Sequence, residues 1–221
     1  MTTYATMQAR IADELARSDL TAQIAKSIQS AIKKYERRRL YFNTKTANMT
    51  TVADQEYYDS SDMADIPYIA EILSATVTSG TSVAPLQRRD MVYIDNVSRD
   101  SAGSSDPRGY AYEASQIRLY PVPSAALTTT WTYVYRFTAL SADADTNAWM
   151  TDAEELIRCQ AKADLFAHVI RDPNEMGLQL QWADAALRDL MRETRLRSSS
   201  GRLALNFPTL SNSSRFASYT A

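Results

Sequence analysis

The sequence predicts an α+β fold: an antiparallel helical bundle built from the N- and C-terminal helices, an inserted β-rich domain, and an extended C-terminal tail. Three observations carry this. Helical period governs the opening of the chain and returns at Thr151; between them the period shortens to two and Thr, Val, Tyr and Ile become common; after Arg197 neither period persists. The division is therefore 1–43 with 151–196 for the bundle, 44–150 for the β-rich insertion and 197–221 for the tail.

A first helix spans roughly Tyr4 to Arg17, with Met7, Ile11 and Leu15 on one face. In the second, Leu20, Ile24, Ile28, Ile32 and Tyr35 fall on one stripe. Ser18 or Asp19 suits its N-cap, and Lys33, Lys34, Arg37, Arg38 and Arg39 crowd its end, where the helix dipole favours cations. Strands are expected at Ile69–Thr78, Tyr110–Ala114, Ile117–Tyr120 and Leu127–Thr138. In the last, Trp131, Tyr133, Tyr135 and Phe137 alternate with Thr132, Val134, Arg136 and Thr138. Pro121 and Pro123 break the chain before it. Arg88 to Asn96 reads as a short helix, and Ser98 to Gly109 as an exposed polar loop.

Thr151 or Asp152 caps the next helix, with Glu154 and Glu155 in its first turn. Leu156, Cys159, Ala163, Phe166 and Ile170 form one seam, and Ile157, Ala161, Leu165 and Val169 a second beside it. So broad an arc implies burial on more than one side. Asp172-Pro173 ends this helix and Asn174 caps the last. That helix carries Met176, Leu180, Leu187 and Met191 on one side, and Leu178, Trp182 and Ala186 on another.

The chain of 221 residues is long enough to bury a sizeable core, and its net charge of −2 gives no overall pull toward nucleic acid or membrane. One cysteine excludes an internal disulfide framework and fits a reducing compartment. The N-terminus is interrupted by Asp13 and Glu14 and does not read as a secretory signal, and no apolar run reaches membrane-spanning length. A soluble protein made in a cytoplasm is expected, with no membrane partner. Thirteen tyrosines suit half-buried sheets and subunit interfaces, whereas five glycines leave little for phosphate-cradling loops.

Catalytic constellations are thin. Cys159 and His168 are nine residues apart on one helix, about 900° of rotation, so they face opposite ways. One His and one Cys cannot form the usual zinc sets. Asp143 and Asp145 open like a calcium loop, but no glycine and no closing acid follow in register. Glu154 and Glu155 diverge as helix neighbours and suit the dipole better than a glycosidase. No catalytic, cofactor-binding or metal site is expected, and the chain reads as a non-enzyme. The run Lys33–Arg39 offers an alternative: a DNA-binding module using the basic end of the second helix. A solvated helix end, with Glu36 among the cations, is the plainer reading.

The tail is the most informative stretch. It carries Arg197, Arg202 and Arg215 and no acid, and spaces Leu203, Leu205, Phe207, Phe216 and Tyr219 among Ser and Asn. Such a segment cannot make its own core, yet holds anchors fit for a partner's grooves or sheet edge.

Three stretches, in order, resemble the tailed-bacteriophage head-to-tail adaptor (head-completion, connector) family. The first is IADELARSDLTAQIAKSIQSAIKKYERRRLYFN, from Ile11 to Asn43; the others are IRLYPVPSAA, Ile117 to Ala126, and LSADADTNAWM, Leu140 to Met150. The resemblance implies a structural virion protein without catalytic residues. Such a protein forms a homo-oligomeric ring of about twelve copies under the portal. The ring extends the DNA channel, lets genomic DNA pass without specific binding, and gives downstream tail or nozzle proteins a docking platform. Assembly in the host cytoplasm is implied before the protein reaches the head–tail interface of the virion. Tail residues Arg202, Leu203, Leu205, Phe207, Arg215, Phe216 and Tyr219 would then bind the portal protein.

Overall fold

The computed structural model describes residues 2–100 and 103–198. The chain runs α1 (Tyr4–Glu14), α2 (Thr21–Tyr35), β1 (Thr44–Thr50), β2 (Tyr57–Tyr58), a 3-10 turn (Ile66–Tyr68), β3 (Ile69–Ser79), β4 (Ser82–Pro85) and β5 (Gln87–Arg88). It continues through α3 (Met91–Asp100), β6 (Gly109–Glu113), β7 (Gln116–Tyr120), β8 (Thr128–Tyr135), α4 (Ala148–Thr151), α5 (Glu154–Leu165), a π-helical turn (Phe166–Ile170) and α6 (Pro173–Arg197).

Local chemistry sets the helix ends. α1 opens with a reciprocal cap, in which Thr3 and Thr6 each accept the other's backbone N–H through a side-chain hydroxyl. It stops at Glu14 because Ala16 turns left-handed at φ 52°. Neither Ser18 nor Asp19 caps α2: Asp19 is engaged by Arg17 at 2.7 and 2.8 Å, and Leu20 holds the cap position without a side-chain bond. The expected start at Thr151 is divided in two. Asn147 caps α4 by accepting from the Trp149 N–H, and α5 begins only after Ala153. Asp172 rather than Asn174 caps α6, accepting from the backbone N–H groups of Asn174 and Glu175, with Pro173 preset at the first helical position. α3 runs on to Asp100, so Ser98 belongs to a helix and not to the polar loop.

The middle of the chain folds into two four-stranded sheets. The first, ordered β1-β8-β3-β4, is antiparallel throughout; the second, β2-β7-β6-β5, is mixed, because β5 runs parallel to β6. Met49, Ile69, Ile72, Val77, Trp131 and Tyr133 of the first sheet share one apolar cluster with Tyr58, Tyr110, Ile117 and Leu119 of the second. Residues alternate across each strand, so the other face of the first sheet is polar, with Thr46 bonded to Thr132 and Thr130 to Asn48. A second cluster joins Met7, Ile11, Ile24, Ile28, Leu40, Trp149, Met150, Leu156, Ile157, Leu165 and Leu187. Within it α5 contacts α1, α2 and α6, as its two neighbouring apolar seams require.

The α+β class stands, but the antiparallel bundle with a single β-rich insertion is corrected. Two separate sheets, one of them mixed, dominate the middle, with α3 set among them and an apolar cluster of their own. The short strands β2 and β5 owe their state to pairing with strands distant in sequence, which periodicity cannot register, and β4 is the return arm of a tight hairpin with β3. α6 is also rotated from expectation. Its buried row is Gln179, Ala183, Leu187 and Leu190, which leaves Leu178, Leu180 and Trp182 partly in water.

Candidate interaction site

The end of α6 is fastened to the turn that follows α2. Thr194 accepts the Tyr41 backbone N–H at 3.1 Å, and the Arg197 guanidinium lies over the Tyr41 ring, 4.1 Å from its centre. Tyr41 donates its hydroxyl to Asp152 at 2.9 Å; burial, then this carboxylate, pushes its pKa up to about 12. Tyr41 meets Phe42 edge to face, and Phe42 meets the buried Trp149 in the same way. This aromatic chain ties the α6 terminus to the helical core.

The turn itself is braced by Asn43, which is fully buried. Its side chain donates to the Arg38 carbonyl and accepts the Leu40 N–H, both at 2.8 Å. Lys33, Lys34, Arg37, Arg38 and Arg39 all stand exposed around it. Lys34 donates to Gln160, a buried amide that also accepts the Tyr35 hydroxyl and ties α2 to α5.

A separate apolar surface lies on α6. Leu178 and Trp182 sit one helical turn apart on a single stripe, and Trp182 is 46% exposed. Lys162, buried between helices, reaches toward its ring from α5. Leu196, in the last turn of α6, is 78% exposed.

The other sequence-derived candidates resolve as follows. Arg202, Leu203, Leu205, Phe207, Arg215, Phe216 and Tyr219 lie outside the described residues. Cys159 is buried, which pushes its thiol pKa up, and His168 is exposed on the π-helical turn. Asp145 spends its carboxylate on the backbone N–H groups of Ser141 and Ala142, each at 2.7 Å, while its carbonyl and that of Asp143 receive the first N–H groups of α1. The LSADADTN stretch therefore caps a helix. Glu154 accepts from Thr2 and Arg10, which again serves α1. Among the described residues, no group of three or more His, Cys, Asp or Glu could hold a metal. An open cleft of about 680 Å³ beside β5 is lined by Arg89, Arg108, Tyr93 and Tyr120, without a carboxylate or thiol.

Residues 2–206 match the family model described as SU10 adaptor protein. The chain belongs to that family. It is a family of bacteriophage head-to-tail adaptors, so the protein is a structural adaptor and a virion component. None of the curated proteins matches the chain. The family match extends past Ser198 to residue 206, so the first part of the adaptor's tail is covered by it. Among the described residues, no helix is long and apolar enough to cross a membrane.

The aromatic and threonine contacts that seat the α6 terminus escape sequence reasoning. Tyr41 and Phe42 stand in the aromatic close of the resembling stretch, but nothing in their spacing points to Thr194 or Arg197.

Proposed function

We propose that the adaptor assembles as a ring of about twelve copies on the outer end of the portal, extends the DNA channel and offers the downstream tail proteins a docking platform. Assembly takes place in the host cytoplasm. The observation that carries this reading is the family match across residues 2–206. The seated end of α6 supports it, because an anchor-bearing segment launched from a fixed point loses less entropy on docking than one on a loose end. The tail, through Arg202, Leu203, Leu205, Phe207, Arg215, Phe216 and Tyr219, is the portal-binding element. The exposed Leu178–Trp182 stripe is surface reserved for a neighbouring copy.

Electron microscopy of the purified protein mixed with its portal tests the proposal: rings seated on the portal are expected. Deleting 199–221 abolishes docking while helical circular dichroism and the unfolding midpoint stay near the full-length values. A truncated protein that docks normally overturns the role given to the tail.

A further inference from the structure

We propose that the turn ending α2 is a second docking surface, shaped for an acidic protein face on the same receiving ring that takes the tail; this rests on the docking reading above. Among the described residues, Lys33, Arg37, Arg38 and Arg39 have no carboxylate within ion-pair distance, whereas Arg10, Arg17, Arg118, Arg158, Lys162, Arg188 and Arg197 are all paired. Other cations without an ion pair, such as Arg88, Arg89 and Arg108, lie elsewhere, but Arg37, Arg38 and Arg39 are consecutive and all exposed on one turn of a chain whose net charge is −2. Exposed cations on a loose loop would mean little, but this turn is held. The Arg38 N–H donates to the Tyr35 carbonyl at 2.8 Å, the Arg38 carbonyl receives Asn43, and the Leu40 carbonyl receives the Thr44 hydroxyl at 3.0 Å.

Two further features select the occupant. The turn adjoins the point where the tail departs, through Tyr41 with Thr194 and Arg197, and the sequence beyond that point holds Arg202 and Arg215 with no acid. Turn and tail therefore present one sign of charge to whatever receives both. A protein face suits this better than nucleic acid. The nearby aromatics that could stack on bases are spent internally, Tyr41 on Asp152 and Arg197, Phe42 on Trp149. Glu36 sits inside the run, and the net negative charge repels a polyanion at range. Three neighbouring guanidiniums offer forked donors to carboxylates.

The test uses the full-length protein, its cognate portal and a duplex DNA in parallel. Wild type should bind the portal with an affinity that falls as salt rises from about 50 to 300 mM, since exposed pairs are screened. Changing Arg37, Arg38 and Arg39 together to Glu should weaken portal binding about tenfold or more and flatten that dependence. The matching Gln triple should fall between. All three residues are exposed, so unfolding midpoints should stay unchanged and separate lost docking from lost fold. Portal binding by the Glu triple at wild-type strength overturns the inference. So does tight, salt-steep duplex binding by wild type that the Glu triple loses, which would make the turn a nucleic-acid surface. Wild type that ignores the portal at every salt concentration sinks the docking reading itself.

Discussion

At the scale of single residues, three cations converge on one carboxylate where α1 meets α5. Glu14 is paired with Lys162 at 2.7 Å, with Arg158, and with Arg10 at 3.3 Å. Burial pushes its pKa up, but the hydrogen bonds and charges of Lys162 and Arg158 outweigh that and leave it below the ordinary carboxylate range. Because the folded value is the lower one, the ionised carboxylate stabilises the fold. That contribution is full above the unfolded pKa and is lost as pH falls through the folded one. Glu14→Gln should cost about 1–2 kcal/mol at neutral pH: Lys162, buried, loses its partner, while water at the rim screens part of the loss. Urea unfolding of both proteins across pH checks this, and the gap should close in acid. A gap that persists there would assign the cost to packing.

At the scale of elements, β8 carries the sheet region. It lies between β1 and β3, and its Trp131 is fully buried, with the indole N–H donated to the Thr129 hydroxyl and the ring edge-on to Tyr110 of the second sheet. Trp131→Ala should destabilise by about 3–5 kcal/mol, a cavity cost at a point where two sheets meet. Trp131→Phe should cost clearly less, and denaturant titration separates the two. β8 was also the most legible strand, because its aromatic residues alternate. Its neighbour β1 was not. Thr44–Thr50 has Met49 as its one buried side chain, and it becomes a strand by pairing with β8, about eighty residues away in sequence. The two-residue strands β2 and β5 lie below the reach of any pattern. The site divides in the same way. The cations of the α2 end are plain in the sequence, but their closeness to the α6 terminus depends on contacts such as Tyr41 with Thr194, 153 positions apart.

At the scale of the whole molecule, two apolar clusters bury most of the large side chains, and the Leu178–Trp182 stripe is part of the apolar surface they leave uncovered among the described residues. The buried row of α6 runs through Gln179, Ala183, Leu187 and Leu190, so the stripe beside it contributes little to the monomer's own core. A half-exposed Trp with a cation near its ring is a costly surface feature unless another molecule covers it, and Trp leads the residue types that dominate interfaces. In a closed ring every copy presents this stripe once, so one substitution alters every junction. Trp182→Ala should therefore leave the monomer's unfolding free energy within about 1 kcal/mol of wild type. It should weaken each junction by about 2 kcal/mol or more, roughly thirtyfold, so that rings on the portal give way to partial arcs or scattered single copies. Analytical ultracentrifugation and electron microscopy with the portal read the assembly, and thermal unfolding reads the fold. Intact rings from Trp182→Ala would place the junction elsewhere on the surface, and a large loss of monomer stability would return Trp182 to the core.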